Sequence, residues 1–399
     1  MAHLLRQRAK RGERTHRIKT DIEGNVNWKF IRLKKVGERM ISLPFRKKGS
    51  TVGLDIGSSL IKVVEIDHSG PKPRITKFAM TRLLPEAIVE GEIMDRDLVI
   101  EGIKESIELA GITNKEVVSA VSGRAVIVKK VVMDKMPPED AQEAIYWEAE
   151  QHVPFDIDDV CLDFQILNDD IGANQMEVLL VAAKKDMVLT HANLIKDAGL
   201  VPVIIDVDSF AVQNCYELSR GEVEEDVKGR VIGLINIGND VTNINIIQND
   251  CPHFTRDISI GSNTFIEALQ KELALSYEDA QEIISGNLGK REDVERIKDI
   301  IRESSEDLSL GIERSISFLK AAGDAQSIDE LILSGGGSHI PFLKDILQEK
   351  HGIELSIHNP LDGLEFEEGV FGEYEEEIDK IAPLLTVGIG LALRKAGKE

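Results

Sequence analysis

Cysteine is scarce, with three in 399 residues, at Cys161, Cys215 and Cys251. Their spacings of 54 and 36 residues fit neither a disulfide framework nor a CxxC metal site, so a reducing compartment is the natural setting. Long apolar runs are missing as well. The longest nearly uninterrupted one, Ile381 to Leu393, has 13 residues and contains Pro383, too short to cross a bilayer. The N-terminal segment lacks the apolar centre of a signal peptide. These absences predict a cytoplasmic chain whose membrane contact is peripheral or made through a partner. No GxxxxGKS/T, GxGxxG or HExxH sequence occurs, which removes the Walker loop, the dinucleotide fingerprint and the zincin site. The nine histidines are scattered, and Ser338-His339 has no acid at recognisable spacing, so a hydrolase triad cannot be argued.

What is abundant is negative charge, and it is unevenly spread. The formal net charge is −22, yet residues 1–48 hold 15 Lys/Arg against 4 Asp/Glu, a net of +11, which leaves −33 on the remainder. An acidic body repels phosphate backbones, so nucleic-acid binding is not expected. The basic leader has no sustained period and no fold is built there. It is read as residues upstream of a natural start at Met40, as an arm for anionic lipid or nucleic acid, or as a docking segment. The acidic run Glu365 to Asp379 offers no ligand spacing and reads as solvated loop rather than a metal site.

From Thr51 onward strand pairs alternate with helices, an α/β pattern. It contains an internal repeat. Leu54-Asp55-Ile56-Gly57-Ser58-Ser59-Leu60-Ile61-Lys62 matches Ile235-Asn236-Ile237-Gly238-Asn239-Asp240-Val241-Thr242-Asn243 at a constant offset of 181. Each copy reads as a tight β-hairpin with glycine at the corner, and two copies half a chain apart predict duplicated domains. If the copies face one another, two turns rich in N–H and hydroxyl groups converge on a cleft suited to a polyphosphate. A third element is the strand Leu331-Ile332-Leu333 followed by Ser334-Gly335-Gly336-Gly337-Ser338, where missing Cβ atoms let a ligand approach the backbone. A flexible strand-to-helix turn is the plainer reading.

Taken in order, these three segments resemble the phosphate 1, phosphate 2 and adenosine motifs of the actin-like ATPase superfamily, and within it the PilM family of type IV pilus assembly, related to the division protein FtsA. Ala144 to Phe155, Val203 to Ala211, Phe254 to Gly261 and Leu384 to Arg394 carry the resemblance further, from about Met40 to Arg394. It implies an α/β fold of two duplicated actin-like (ribonuclease H-like) domains flanking a nucleotide cleft. The first domain is expected over 49–215, with an inserted α/β subdomain at about 83–175. The second is expected over 228–380, with a helical subdomain at about 262–310, and 381–399 as a C-terminal helix returning to the first domain.

The resemblance also implies ATP with Mg²⁺. Asp55 would reach the metal through water; Gly57, Ser58, Ser59 and Lys62 would hold phosphates, closed from the other side by Gly238 and Thr242; Gly335, Gly336, Gly337 and Ser338 would lie against the nucleoside. The catalytic candidates are Asp55, Asn236 and Asp206. Asn236 stands where many relatives carry aspartate, and Gln281 where FtsA-like relatives carry glutamate, so slow hydrolysis or none is expected. The implied partner is the cytoplasmic N-terminal peptide of PilN, docked at the inserted subdomain and tethering the chain to the inner membrane, with other platform proteins and self-association beside it. Two further readings stand. One is an FtsA-like polymerising cytoskeletal ATPase. The other is a small-molecule kinase using Asp206, Asp208 or Asp240 as base. An FtsA-like membrane helix is not expected, because residues 393–399 present no apolar face long enough.

Overall fold

The computed structural model describes residues 49–89, 91–221, 229–322 and 327–394. The leader, with the expectation of a start at Met40, lies outside them.

Runs of β-branched residues build β1 (Ser50–Ile56) and β2 (Leu60–Asp67), which pair antiparallel and continue into β3 (Arg74–Arg82). After a two-stranded ribbon, β4 (Ile88–Val89) and β5 (Glu92–Ile93), Asp95 caps α1 (Arg96–Leu109) by accepting from the N–H groups of Asp97 and Leu98, both at 3.1 Å. The helix returns the chain to β6 (Glu116–Val121), parallel to β1.

An added unit interrupts the next crossover. It consists of β7 (Val126–Asp134), α2 (Pro138–His152), β8 (Val160–Gly172) and β9 (Gln175–Lys184), a three-stranded antiparallel sheet in the order β7-β9-β8 with its own apolar core around Val131, Ile145, Met176 and Leu180. Against the span of 83–175 expected for an insertion, this sheet begins at Val126 and runs to Lys184, while α1 and β6 pack into the first domain's core. The crossover then resumes with α3 (Lys185–Asp197) and ends in β10 (Val201–Val207), parallel to β6, which leads directly into α4 (Asp208–Arg220).

The second half repeats the plan with β11 (Val231–Ile237), β12 (Thr242–Gln248) and β13 (Cys251–Ile258). Four helices follow: α5 (Ser262–Leu273), α6 (Tyr277–Ile284), α7 (Val294–Ser304) and α8 (Glu306–Ala322). The chain returns as β14 (Glu330–Ser334), α9 (Leu343–His351) and β15 (Glu354–Ile357). Read from the hairpin outward, the sheets run β3-β2-β1-β6-β10 and β13-β12-β11-β14-β15, the same order with the same directions, and β16 (Glu365–Phe366) adds an edge strand beside β3. The duplication extends to a local irregularity. The register slips between Glu65 and Ile66 in the first sheet and between Ile246 and Ile247 in the second, again 181 residues apart.

After the short α10 (Ile378–Ile381), the chain enters α11 (Thr386–Ala392), which lies against β1 and crosses α4. These two helices sit between the sheets. Ala211, Val212, Tyr216, Val387 and Leu391 join Val118 and Ala120 of the first sheet to Ile232, Leu234 and Ile332 of the second in one buried cluster. That cluster is a narrow apolar axle between two otherwise separate cores, a construction that allows the halves to hinge. Among the described residues no helix is long and apolar enough to cross a membrane.

Candidate functional site

The two hairpin corners are built alike. The Gly57 N–H donates to the Leu60 carbonyl at 3.1 Å, and the Gly238 N–H to the Val241 carbonyl at 2.9 Å. Both corners open onto one cavity of about 820 Å³ between the halves. Of the residues named from the sequence, Asp55, Gly57, Ser58, Ser59 and Lys62 line it from the first half, and Asn236, Gly238, Gly335 and Gly336 from the second. Gly335 has φ of +79°, and a Cβ there would lie 2.4 Å from the Ile237 carbonyl oxygen, so this corner is open to glycine alone.

Four of the named residues are placed elsewhere. Thr242 is fully buried, its hydroxyl donating to the Ile260 carbonyl at 2.7 Å. Gly337 packs on Ile237, whose Cγ2 a Cβ would approach to 2.2 Å. The Ser338 hydroxyl closes its own turn by donating to the Gly335 carbonyl at 2.7 Å. Asp206, at the end of β10, is fully buried and ion-paired with Arg394.

Four neighbours take part that the motif reading passed over or used differently. Asn243 lies directly across β12 from Asn236 and lines the cavity; the offset of 181 maps it onto Lys62, so the repeat carried the signal. Asp208, named only as a kinase base, lines the cavity at the start of α4 beside Asp55 and Lys62. Ser122 and Gly123 line it after β6.

The electrostatics are tightly drawn. Lys62 Nζ pairs with Asp55 Oδ2 at 2.7 Å, with the two side chains 14% and 10% exposed. Asp208 is pushed up to about 7, first by burial and then by the Asp55 charge, against the Ser122 hydroxyl and Lys62, which act to lower it. Asn236 donates to Asn243 Oδ1 at 2.9 Å and accepts from the Ser334 hydroxyl at 3.3 Å, which fixes its amide. Asn243 donates in turn to Asp257 at 2.9 Å, and Asp257 accepts from the Gly123 N–H across the cleft. Burial raises Asp257 while these hydrogen bonds hold it back. His191, also on the wall, is pushed down to about 4 by burial. Its Nε2 meets Ser119 Oγ at 2.9 Å; because that hydroxyl gives its proton to the Leu54 carbonyl, Nε2 carries the imidazole proton.

Among the described residues no cluster of three or more His, Cys, Asp or Glu side chains is able to hold a metal ion. The adjacent carboxylates of Asp55 and Asp208 fit a hard cation that keeps its waters and takes its other ligands from phosphates, as Mg²⁺ does.

The family described as "Type IV pilus assembly protein PilM" matches residues 53–396. The chain belongs to that family. The solved structure of a "PilM-PilN type IV pilus biogenesis complex" is similar at a TM-score of 0.75 and 30% identity, over 87% of this chain and 99% of that one. "Cell division protein FtsA" of Enterococcus hirae is 26% identical over 358 residues, 79% of each chain. The fold is the two-domain actin-like one expected of a PilM, and the protein is a type IV pilus assembly protein of that fold. Gln281, the residue that departs from the FtsA-like pattern, lines the cleft and accepts from Arg82 Nη1 of the opposite half at 3.4 Å.

The raised Asp208 makes a test of this cleft. Its native value of about 7 lies above the ordinary 3.8, so the folded state holds the proton more tightly. Stability therefore falls as pH rises through that window and stays reduced above it. Asp208→Asn keeps an acceptor for Ser122 without the charge. In the nucleotide-free protein we expect it to stabilise by about 1–3 kcal/mol above pH 7, with the gain vanishing below pH 4, read from denaturant midpoints at several pH values.

Proposed function

We propose that this protein binds a nucleoside triphosphate with Mg²⁺ between its halves and docks the N-terminal peptide of a PilN beside its inserted sheet. It would thus act at the cytoplasmic face of the inner membrane through that partner and contact other platform proteins or copies of itself. The observation that carries the nucleotide reading is the pair of equivalent corners, Gly57 and Gly238, facing one cavity with the Asp55–Lys62 pair on one wall and Gly335-Gly336 on another.

The roles follow from the chemistry on each wall. The ammonium of Lys62 and the hydroxyls of Ser58 and Ser59 hold phosphate oxygens, and the corner glycines let the chain approach a phosphate closely. Asp55, with Asp208, would hold the hydrated cation. The metal, when bound, neutralises charge on the phosphates. Asn236 keeps the place of a carboxylate with a neutral amide already committed to Asn243 and Ser334, which weakens the activation of water, so binding and hinge closure, rather than rapid turnover, are the expected action.

The peptide reading rests on the cleft's extension toward the added sheet. There Ile56, Ile88, Ile93 and Met187 supply apolar walls and Lys184 and Asp186 polar ends, a lining suited to a short apolar segment. The similarity to a PilM solved in complex with PilN supports this choice of partner.

Purified protein should retain ATP, and Lys62→Ala and Gly336→Asp should each lower its affinity at least tenfold in calorimetry, the first by removing a charge-assisted contact and the second by placing a carboxylate where the nucleoside lies. Unchanged binding in both would sink the cleft assignment. Saturable binding of the PilN peptide is expected, whereas nucleotide-dependent filaments with no peptide affinity would favour the cytoskeletal reading.

A further inference from the structure

The halves touch on the solvent side of the cleft as well as at the axle. Ala120 and Val387 of the axle form the inner wall of the cavity, whereas Arg82 and Gln281, one exposed and the other half-buried, line its outer rim from opposite halves. Arg82 ends β3 opposite Leu60 in register, and the next residue ties that strand to the first corner, the Leu83 N–H donating to the Ser59 carbonyl at 2.9 Å. Gln281 stands on α6, one turn beyond Tyr277. Ser276 caps that helix by accepting from the Asp279 N–H at 3.1 Å, and Ile283 and Ile284 anchor it in the second core. Each end of the Arg82–Gln281 hydrogen bond is thus carried by a rigid element. Among the described residues Arg82 enters no ion pair that would draw it elsewhere. Its charge sits close to two aromatic neighbours on the rim: burial raises the phenols of Tyr277 and Tyr374, and in each the Arg82 guanidinium pulls the other way.

We propose that Arg82 and Gln281 form a clasp across the mouth of the cleft, which must open for a nucleotide to enter or leave. Both partners belong to the protein, so the clasp holds the halves together in free and loaded protein alike. It therefore sets the rates of entry and release together and leaves their ratio, the affinity, nearly unchanged. A hydrogen bond from an exposed cation to a neutral amide is weak, which suits a gate that has to open often. The amide at position 281 acquires a reason here. A carboxylate in its place would meet the guanidinium as an ion pair and keep the mouth shut for longer. The inference rests on the reading of the cleft as a nucleotide site and adds the control of exchange to it.

Stopped-flow mixing of the full chain with N-methylanthraniloyl-ATP and Mg²⁺, followed by a chase of unlabelled ATP, gives both rates. Arg82→Ala and Gln281→Ala should each raise entry and release about threefold, and the double variant no further, with Kd held within about twofold. Gln281→Glu should slow release about threefold. Charge acting on the nucleotide alone gives the opposite signs, because losing a cation slows the arrival of an anion and gaining a carboxylate hastens its departure. The exchanged pair, Arg82→Gln with Gln281→Arg, should return both rates to near the parent values. Faster release in Arg82→Ala with Gln281→Ala silent would make Arg82 a nucleotide contact and overturn the clasp, as would rates unaltered in every variant. Both of those outcomes leave the cleft reading standing, since the nucleotide still binds. Failure of the parent protein to bind it overturns that reading and this inference with it.

Discussion

Gly390→Val should cost the protein about 3 kcal/mol or more, the upper end of what overpacking does, because the obstruction is main chain and cannot rotate away. A Cβ on residue 390 would lie 1.8 Å from the Ala211 carbonyl oxygen, so α11 and α4 cross in direct backbone contact. The same helix meets the first sheet through a pair of glycines, with a Cβ on Gly53 falling 2.2 Å from the Gly388 carbonyl oxygen. Restoring van der Waals distance at either point moves α11 outward and opens the apolar cluster that joins the two sheets. Because that cluster is the axle of the two halves, the loss should appear twice, as a lowered denaturant midpoint and as weakened nucleotide affinity in whatever protein remains folded. A substitution at Gly70, exposed and facing only the Lys72 carbonyl at 3.3 Å, should change neither by comparison.

Much of this architecture was legible because duplication repeats its own signature. The offset of 181 between Asp55-Ile56-Gly57 and Asn236-Ile237-Gly238 predicted paired hairpins, and the shared strand order and shared slip after Glu65 and Ile246 are that offset carried through whole sheets. What the pattern could not resolve was which way a side chain points when both sheet faces are buried. Every residue of β11 is buried, so alternation gives no inside or outside, and Thr242 and Asn243 cannot be told apart by hydropathy. Only the register, which sets Asn243 opposite Asn236, shows that the amide and not the threonine hydroxyl meets the cleft. The same limit applied to the two aspartates of Ile205-Asp206-Val207-Asp208. Two residues apart at a strand-to-helix junction, they part company when the strand ends after Val207, Asp206 turning to Arg394 and Asp208 to the cavity. No local sequence property distinguishes a partner 188 residues away.

That distant partner sets up the second large effect. Arg394→Ala should destabilise the protein by about 3–5 kcal/mol, because it leaves Asp206 charged, fully buried and uncompensated. Burial already raises Asp206, and Arg394 is the group that opposes this most strongly. Without the guanidinium the carboxyl can relieve its cost only by taking up a proton. The folded state of the variant then binds a proton that the unfolded chain releases at ordinary carboxylate pH, so its deficit is full at neutral pH and shrinks as pH falls toward about 4. Asp206→Asn combined with Arg394→Met, which removes both charges and keeps an apolar stem, should recover most of the loss at pH 7. The pair ties the last described residue of the chain to the strand that feeds α4, so it fixes where α11 ends relative to the helix it crosses. Urea titrations of the single and double variants at pH 5 and pH 8 separate this account from simple loss of packing. A deficit of the same size at both pH values, or no recovery in the double variant, would mean that Arg394 acts through its stem rather than through its charge.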